Sequence, residues 1–273
     1  QDLNGDGQVL VQLHTYFVDL ADEDPNAGVN NAQTVAGLDA DLIGNLSGIF
    51  LTEDPERVVV RYKDTATAFN NIKKATIVGK GKVTSAISAL LYDFLSKAGV
   101  KTHFEELLDE CDQVCRRVKV IPLEVVVRNT IAGSMAQRLG LEEGTKPENV
   151  IYDLFYKSDE LGDPLMNDHH AVAMKLVTYE ELQVIYELAG RINSLLLDLF
   201  RRAGIHLVDF KMEFGRTAEG EIILADELSP DTCRLWDIET GEKLDKDRFR
   251  RDLGHVREAY EEILNRLQKV INQ

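Results

Sequence analysis

The segment His206–Phe214, a turn at Thr217–Gly220 and a second apolar run over 221–227 constrain this chain more than any other feature. Two strands joined by so short a turn must lie antiparallel. Alternation along the first places Val208, Phe210, Met212 and Phe214 on one face and Asp209, Lys211 and Glu213 on the other. Pairing Arg216 with Glu221 sets Lys211 opposite Asp226 on the charged face. Such a face is either a solvated charge row or a site. Two or three carboxylates around one lysine suit Mg²⁺ with a polyphosphate, because hard cations take carboxylate oxygens and an ammonium holds an anion. The polar run from Asp226 to Trp236, following directly on an apolar strand, favours the site.

Other elements surround this hairpin. Val58–Tyr62 reads as a strand from its β-branched content. Residues 83–98 carry apolar positions at helical spacing and stop at Gly99. Val114–Ile121 and Leu123–Arg128 read as strands bent at Pro122. Ala132–Leu139 is a short helix closed by Gly140, and Tyr179–Ala203 is a long amphipathic helix stopped by Gly204. Lys246–Val270 is the last helix. Without strict alternation of strand and helix, the order implies an α+β fold with a largely antiparallel sheet.

A second candidate cluster is Arg128 at a strand end, followed by Gly133 and Ser134 opening a helix. A guanidinium binds phosphate or carboxylate bidentately, and free N–H groups at a helix start add to it. Arg128 alone would read as a surface ion pair, but with Ser134 six residues on, ligand binding is the favoured reading.

Charge bounds the partners. The 273 residues carry 47 acids and 31 bases, a net charge of −16, which argues against nucleic acid as a partner. Residues 1–56 contain no Lys or Arg, a break in composition that sets the N-terminal segment apart. Asp2–Gly7 resembles the start of a calcium loop. Leu13 stands where such a loop needs a carboxylate, so a turn-rich segment is the better reading. No run of about 18 apolar residues exists, and no export signal opens the chain, so a cytoplasmic protein off the membrane is expected. Cys111, Cys115 and Cys233 form no disulfide framework.

PLEVVVRNTIAGS at 122–134 and LVDFKMEFG at 207–215 resemble the two signature motifs of the SAICAR synthetase (phosphoribosylaminoimidazole-succinocarboxamide synthase) family. KDTATAFN at 63–70, YKSDELGDPLMND at 156–168, LADELSPDTCRLWD at 224–237 and KLDKDRFRRDLG at 243–254 extend the resemblance over about residues 49–268. It implies a two-lobed, distantly kinase-like α+β fold with ATP in a cleft between lobes. The lobes would be 49–122 and 123–273, after an atypical segment 1–48.

The implied reaction joins carboxyaminoimidazole ribonucleotide to L-aspartate through an acyl phosphate, using ATP with Mg²⁺. A homodimer is implied as well. Carried over by motif, Glu213 and Asp226 hold the metal and ATP phosphates, and Lys157 contacts the nucleotide. Arg128, Ser134, Asp209, Lys211, Arg234 and Arg250 surround the ribonucleotide, with Lys211, Asp209 and Arg234 the catalytic set. Asp163 and Lys246 stand near the substrates. The sequence departs from the family at its glycine-rich loop, where Gly44 matches the glycine but Asn45 and Ser47 replace two lysines. Two lost charges facing a triphosphate leave open a nucleotide-binding protein with weakened or lost catalysis.

Overall fold

The computed structural model describes residues 48–68 and 72–272. Two antiparallel sheets organise them. The first orders β1 (Ile49–Leu51), β2 (Arg57–Arg61), β6 (Asp112–Arg116) and β5 (Phe104–Leu107) as β1-β2-β6-β5. A small hairpin of β3 (Thr65–Ala68) and β4 (Lys73–Thr76) follows β2 in the chain, and helix α1 (Lys80–Lys97) precedes β5. The second sheet runs β11-β10-β7-β8-β9, with β12 also on β10. Its members are β7 (Lys119–Arg128), β8 (Ile151–Tyr156), β9 (Leu165–Met166), β10 (Ile205–Arg216), β11 (Ile222–Ala225) and β12 (Cys233–Asp237).

β10 is the axis of the second sheet. It pairs with β7 along one edge, and on the other with β12 near its start and β11 near its end. Its apolar face meets helix α4 (Tyr179–Arg202). Leu182, Ile185, Ala189, Ile192, Leu196 and Leu199 of the helix share one core with Phe210, Met212 and Phe214. Each such large side chain taken from water contributes about 1.5–3 kcal/mol. A capping box starts α4: Thr178 Oγ1 accepts from the Glu181 N–H at 3.2 Å, and Glu181 Oε2 accepts from the Thr178 N–H at 2.8 Å. Glu181 also receives Arg216 at the end of β10, which ties helix start to strand end.

Four local expectations change. The hairpin register lies one residue away, with Arg216 opposite Ile222 and Glu213 opposite Ala225. Asp226 therefore falls beyond the strand, and its positive φ of 63° turns the chain there, leaving its carboxylate 4.0 Å from Lys211 Nζ. A bulge between Leu207 and Asp209 brings Leu207 into the main core cluster with Phe210, while Val208 is buried outside that cluster. Pro122 lies inside a continuous β7, next to a register irregularity against β10 that tolerates its missing N–H; the chain breaks instead at Arg117–Val118. The last helix is two, α5 (Asp247–Arg250) and α6 (Val256–Ile271), separated at Gly254 and the left-handed His255. Helices α2 (Gly133–Leu139) and α3 (Asp168–Ala173) complete the set. Among the described residues, no helix is long and apolar enough to cross a membrane.

Candidate active site

Strand order brings the polar face of β10 into line with its neighbours. Arg128, Val126 and Glu124 of β7 stand opposite Asp209, Lys211 and Glu213, and Arg234 of β12 stands opposite Asp209. All of these side chains except Glu213 line a cavity of about 500 Å³, whose walls also include Thr65 and Thr67 of β3 and Lys80 and Thr84 of α1.

At one end, acids and arginines alternate. Arg128 donates to Asp153 Oδ2 and Asp209 Oδ2, both at 2.8 Å. Arg234 Nη1 reaches Asp209 Oδ2 at 2.8 Å, and its Nε reaches Asp247 Oδ2 at 3.2 Å. Arg250 Nη1 closes the series on Asp247 Oδ1 at 2.7 Å. Each carboxylate thus aims two guanidinium groups, and three arginines converge without a ligand to gather them. Gly133 stands at φ +55°, and a Cβ there would lie 2.3 Å from Arg234 Nη2, so glycine is required beside this guanidinium. Ser134, the next residue, is exposed to the same cavity.

The far end of the polar face differs. Lys211 Nζ lies 2.6 Å from Glu124 Oε1 and 3.5 Å from Glu213 Oε1. Lys157 Nζ sits 2.5 Å from both Glu213 oxygens. Burial alone would lower the Lys211 pKa, but Asp226, Glu124 and Glu213 hold it well above the usual lysine range. Burial raises the pKa of both Glu213 and Asp226; each acid or a neighbouring acid adds to this, and Lys211 and Lys157 offset it only in part. Both Asp226 oxygens are buried without a hydrogen-bond partner. A buried carboxylate left this way wants a cation, which fits magnesium. Among the described residues no set of three acidic, His or Cys side chains forms a full metal cage. Two carboxylates suffice for Mg²⁺, which keeps waters and takes phosphate oxygens for the remaining positions.

Glu213 and Asp226 also border a narrow slot between the two sheets. Its walls are apolar, with Ile49, Val58 and Val60 on one side and Val118, Val120 and Ala225 on the other. His103 and Arg116 complete its lining, and its volume of about 30 Å³ admits no more than a water molecule.

Comparison with known proteins agrees with this geometry. The SAICAR synthetase family model matches residues 43–267. This chain belongs to the SAICAR synthetase family. It is 58% identical over 224 residues to phosphoribosylaminoimidazole-succinocarboxamide synthase of Fusobacterium nucleatum, covering 82% of this chain and 94% of that protein. With the Clostridium beijerinckii synthase it shares 56% over 226 residues, 83% of this chain and 96% of that one. Among solved structures, the Ehrlichia chaffeensis synthase superposes with a TM-score of 0.81 at 43% identity, over 83% of this chain and 97% of that one. A SAICAR synthetase in complex with ADP gives 0.80 at 42%, over 82% and 96%. The chain is accordingly an ATP-dependent carbon–nitrogen ligase of purine biosynthesis, with ATP as a substrate. No finding favours the alternative of a family member with lost catalysis.

Within this SAICAR synthetase site, Arg128, Ser134, Asp163, Asp209, Lys211, Arg234, Lys246 and Arg250 all line the cavity. Asp163 is turned by a positive φ of 49°, and its Oδ1 accepts from the Ser158 N–H at 2.9 Å. Glu213 and Asp226 border the slot, and Lys157 joins them through Glu213. Gly44, Asn45, Ser47 and the Asp2–Gly7 stretch lie outside the described residues.

Sequence reasoning missed several members. Glu124 pairs Lys211, Asp153 and Asp247 orient the arginines, and Lys80 binds Asp231 Oδ2 at 2.6 Å in a buried pair that Tyr260 completes through Asp231 Oδ1 at 2.7 Å. Glu227 and Asp231 lay inside a run already singled out as polar, so the signal for them existed. Asp153 gave none, because Arg128 comes from another strand; Asp247 has a local partner in Arg250, but nothing local marks it as the acid that Arg234 reaches from β12.

Proposed function

We propose that the acidic pair and the cavity are two halves of one ligase site, with the nucleotide's phosphates at Glu213 and Asp226 and the ribonucleotide on the arginine series. The observation that carries this reading is the Asp226 carboxylate, buried and without a hydrogen-bond partner where slot and cavity meet. On this reading the four-stranded sheet belongs to an N-terminal lobe of residues 49–122, the second sheet to a C-terminal lobe of 123–273, and ATP sits between them. The protein works in the cytoplasm as a homodimer, and residues 1–48 stand apart from both lobes.

The residue roles follow from charge and reach. Glu213 and Asp226 would hold Mg²⁺, which supplies positive charge to the phosphate oxygens. Lys157 holds Glu213 in place and faces the nucleotide. Arg128, Arg234 and Arg250, with Ser134, take the ribonucleotide's phosphate, because planar guanidinium groups bind phosphate oxygens bidentately. Asp209 keeps Arg128 and Arg234 aimed, and Lys211 stands between the arginine series and the acidic pair, where the reacting carboxylate must meet the γ-phosphoryl group. Asp163 borders the same cavity on the loop beyond β8.

A carboxylate is a poor electrophile, so its oxygen first attacks the γ-phosphorus of ATP, forming an acyl phosphate as the bond to ADP breaks. The amine of L-aspartate then attacks the acyl carbon, the amide C–N bond forms, inorganic phosphate leaves and the amine gives up a proton. Lys211 balances charge on the carboxylate during the first step, and most of the catalytic effect comes from positioning. An ADP-release assay with each substrate omitted in turn tests this function. ADP formation should require both the ribonucleotide and aspartate. Undiminished ADP release without aspartate would overturn the ligase reading in favour of a simple kinase.

A further inference from the structure

Asp209 and Asp226 are aimed by different means. The Asp209 carboxylate is held by Arg128 and Arg234, whereas neither oxygen of Asp226 has a hydrogen-bond partner. What aims the Asp226 side chain is therefore its backbone. That backbone is left-handed, at φ 63°, a conformation that a residue other than glycine keeps only when its surroundings hold it. The strand leading into it is already tied on both sides of Leu224. The Leu224 N–H donates to Lys101 O at 3.1 Å, and Leu224 O accepts from the His103 N–H at 2.8 Å.

Tyr92 of α1 takes hold of the turn itself. Its hydroxyl donates to Asp226 O at 2.6 Å and lies 3.2 Å from Ala225 O. The ring is fully buried, stacked on Phe104 at 5.8 Å and edge-on to His103 at 5.4 Å. Packing of that kind needs only a phenyl ring, and a hydroxyl taken out of water is unfavourable unless it is bonded. Burial also raises the phenol pKa well above the usual tyrosine range, so the group stays a donor. The hydroxyl thus serves the backbone at Ala225 and Asp226 rather than the core, and the His103 ring faces the Asp226 backbone as well.

Resting on the reading of Asp226 as a magnesium ligand, we propose that Tyr92 is a positioning residue for that ligand. It acts through the Asp226 carbonyl, fixing the turn that delivers an otherwise unbonded carboxylate beside Lys211 and Glu213, and it touches neither metal nor substrate. Losing one hydrogen bond of this kind weakens metal binding about three- to tenfold.

Mg²⁺ titrations at fixed ADP, followed by the rise in melting temperature, test it without turnover. Tyr92→Phe should raise the half-saturating Mg²⁺ concentration about three- to tenfold, while half-saturation by the ribonucleotide in metal-free buffer stays within about twofold. Placing 4-aminophenylalanine at position 92 restores a donor and should return the Mg²⁺ value to within about twofold of the unaltered protein. Placing 4-fluorophenylalanine there keeps the size of the ring without a donor, and should repeat the loss if the Phe variant misfolds. An unchanged Mg²⁺ value in Tyr92→Phe, or an equal weakening of metal and ribonucleotide, would overturn the positioning role. An unchanged Mg²⁺ value in Asp226→Asn would instead overturn the reading of Asp226 as the metal ligand, and the role of Tyr92 with it.

Discussion

The two ends of the polar face of β10 differ in how complete they are without ligand. Around Asp209, every arginine already has an acid, and every acid serves at least two cations. Around Asp226, burial has gathered carboxylates faster than hydrogen bonds can satisfy them, and two oxygens are left over. The first end is preorganised by its own ion pairs. The second is electrostatically unfinished and is completed by what it binds. One site therefore combines a rigid receptor for one substrate with an acidic gap for a metal–nucleotide pair.

The sharpest way to break this comparison is to finish the unfinished end. Asp226→Asn removes the charge that calls for a cation, and turnover should fall about 10³-fold, equivalent to about 4 kcal/mol of barrier. Thermal melting should show that Mg²⁺ with ATP no longer stabilises the variant as it does the unaltered protein. Ligand stabilisation of equal size in both would remove Asp226 from the metal site.

The paired end should respond differently, through the fold itself. Asp209→Ala strips a shared acid from Arg128 and Arg234, whose guanidinium groups are largely buried. Losing one member of a buried pair costs about 3–5 kcal/mol, readable by urea unfolding without any ligand. A loss below about 1 kcal/mol would mean that Asp153 and Asp247 hold the arginines unaided.

A smaller effect sharpens the slot end by pH. Burial pushes His103, which borders the slot beside the Asp226 backbone, down from 6.5 to about 4. Its folded-state pKa is depressed, so between about 6.5 and 4 the unfolded chain binds a proton that the folded one does not. Stability from the neutral ring is full above 6.5 and is lost as pH falls toward 4, by on the order of 3 kcal/mol. Asp245, raised to about 7 by burial and by Asp247, works in the opposite direction over an overlapping range. The test is therefore the difference between the unaltered protein and His103→Leu, followed by unfolding from pH 7 to 4. A difference that does not change with pH would show that His103 takes up its proton in the folded state.

Much of the site was legible in the residues. Alternation on β10 put Asp209, Lys211 and Glu213 together, and the motifs carried Arg128, Ser134, Arg234 and Arg250 to the same cavity. The acids that orient them were not legible. Asp153 comes from β8 and Asp247 from α5, and nothing local marks either as the partner of an arginine from another strand. The hairpin register went astray by one residue because both pairings bury an apolar face, and the turn residues alone do not choose between them.

The sequence by itself determined the element types, the antiparallel hairpin and the family, since periodicity, breakers and long motifs are properties of neighbouring residues. Tertiary structure decided the ion-pair series and the left-handed turn that returns Asp226 to Lys211. Whether a buried charge has a partner depends on side chains delivered by separate elements, and that is settled only when the sheets and helices pack.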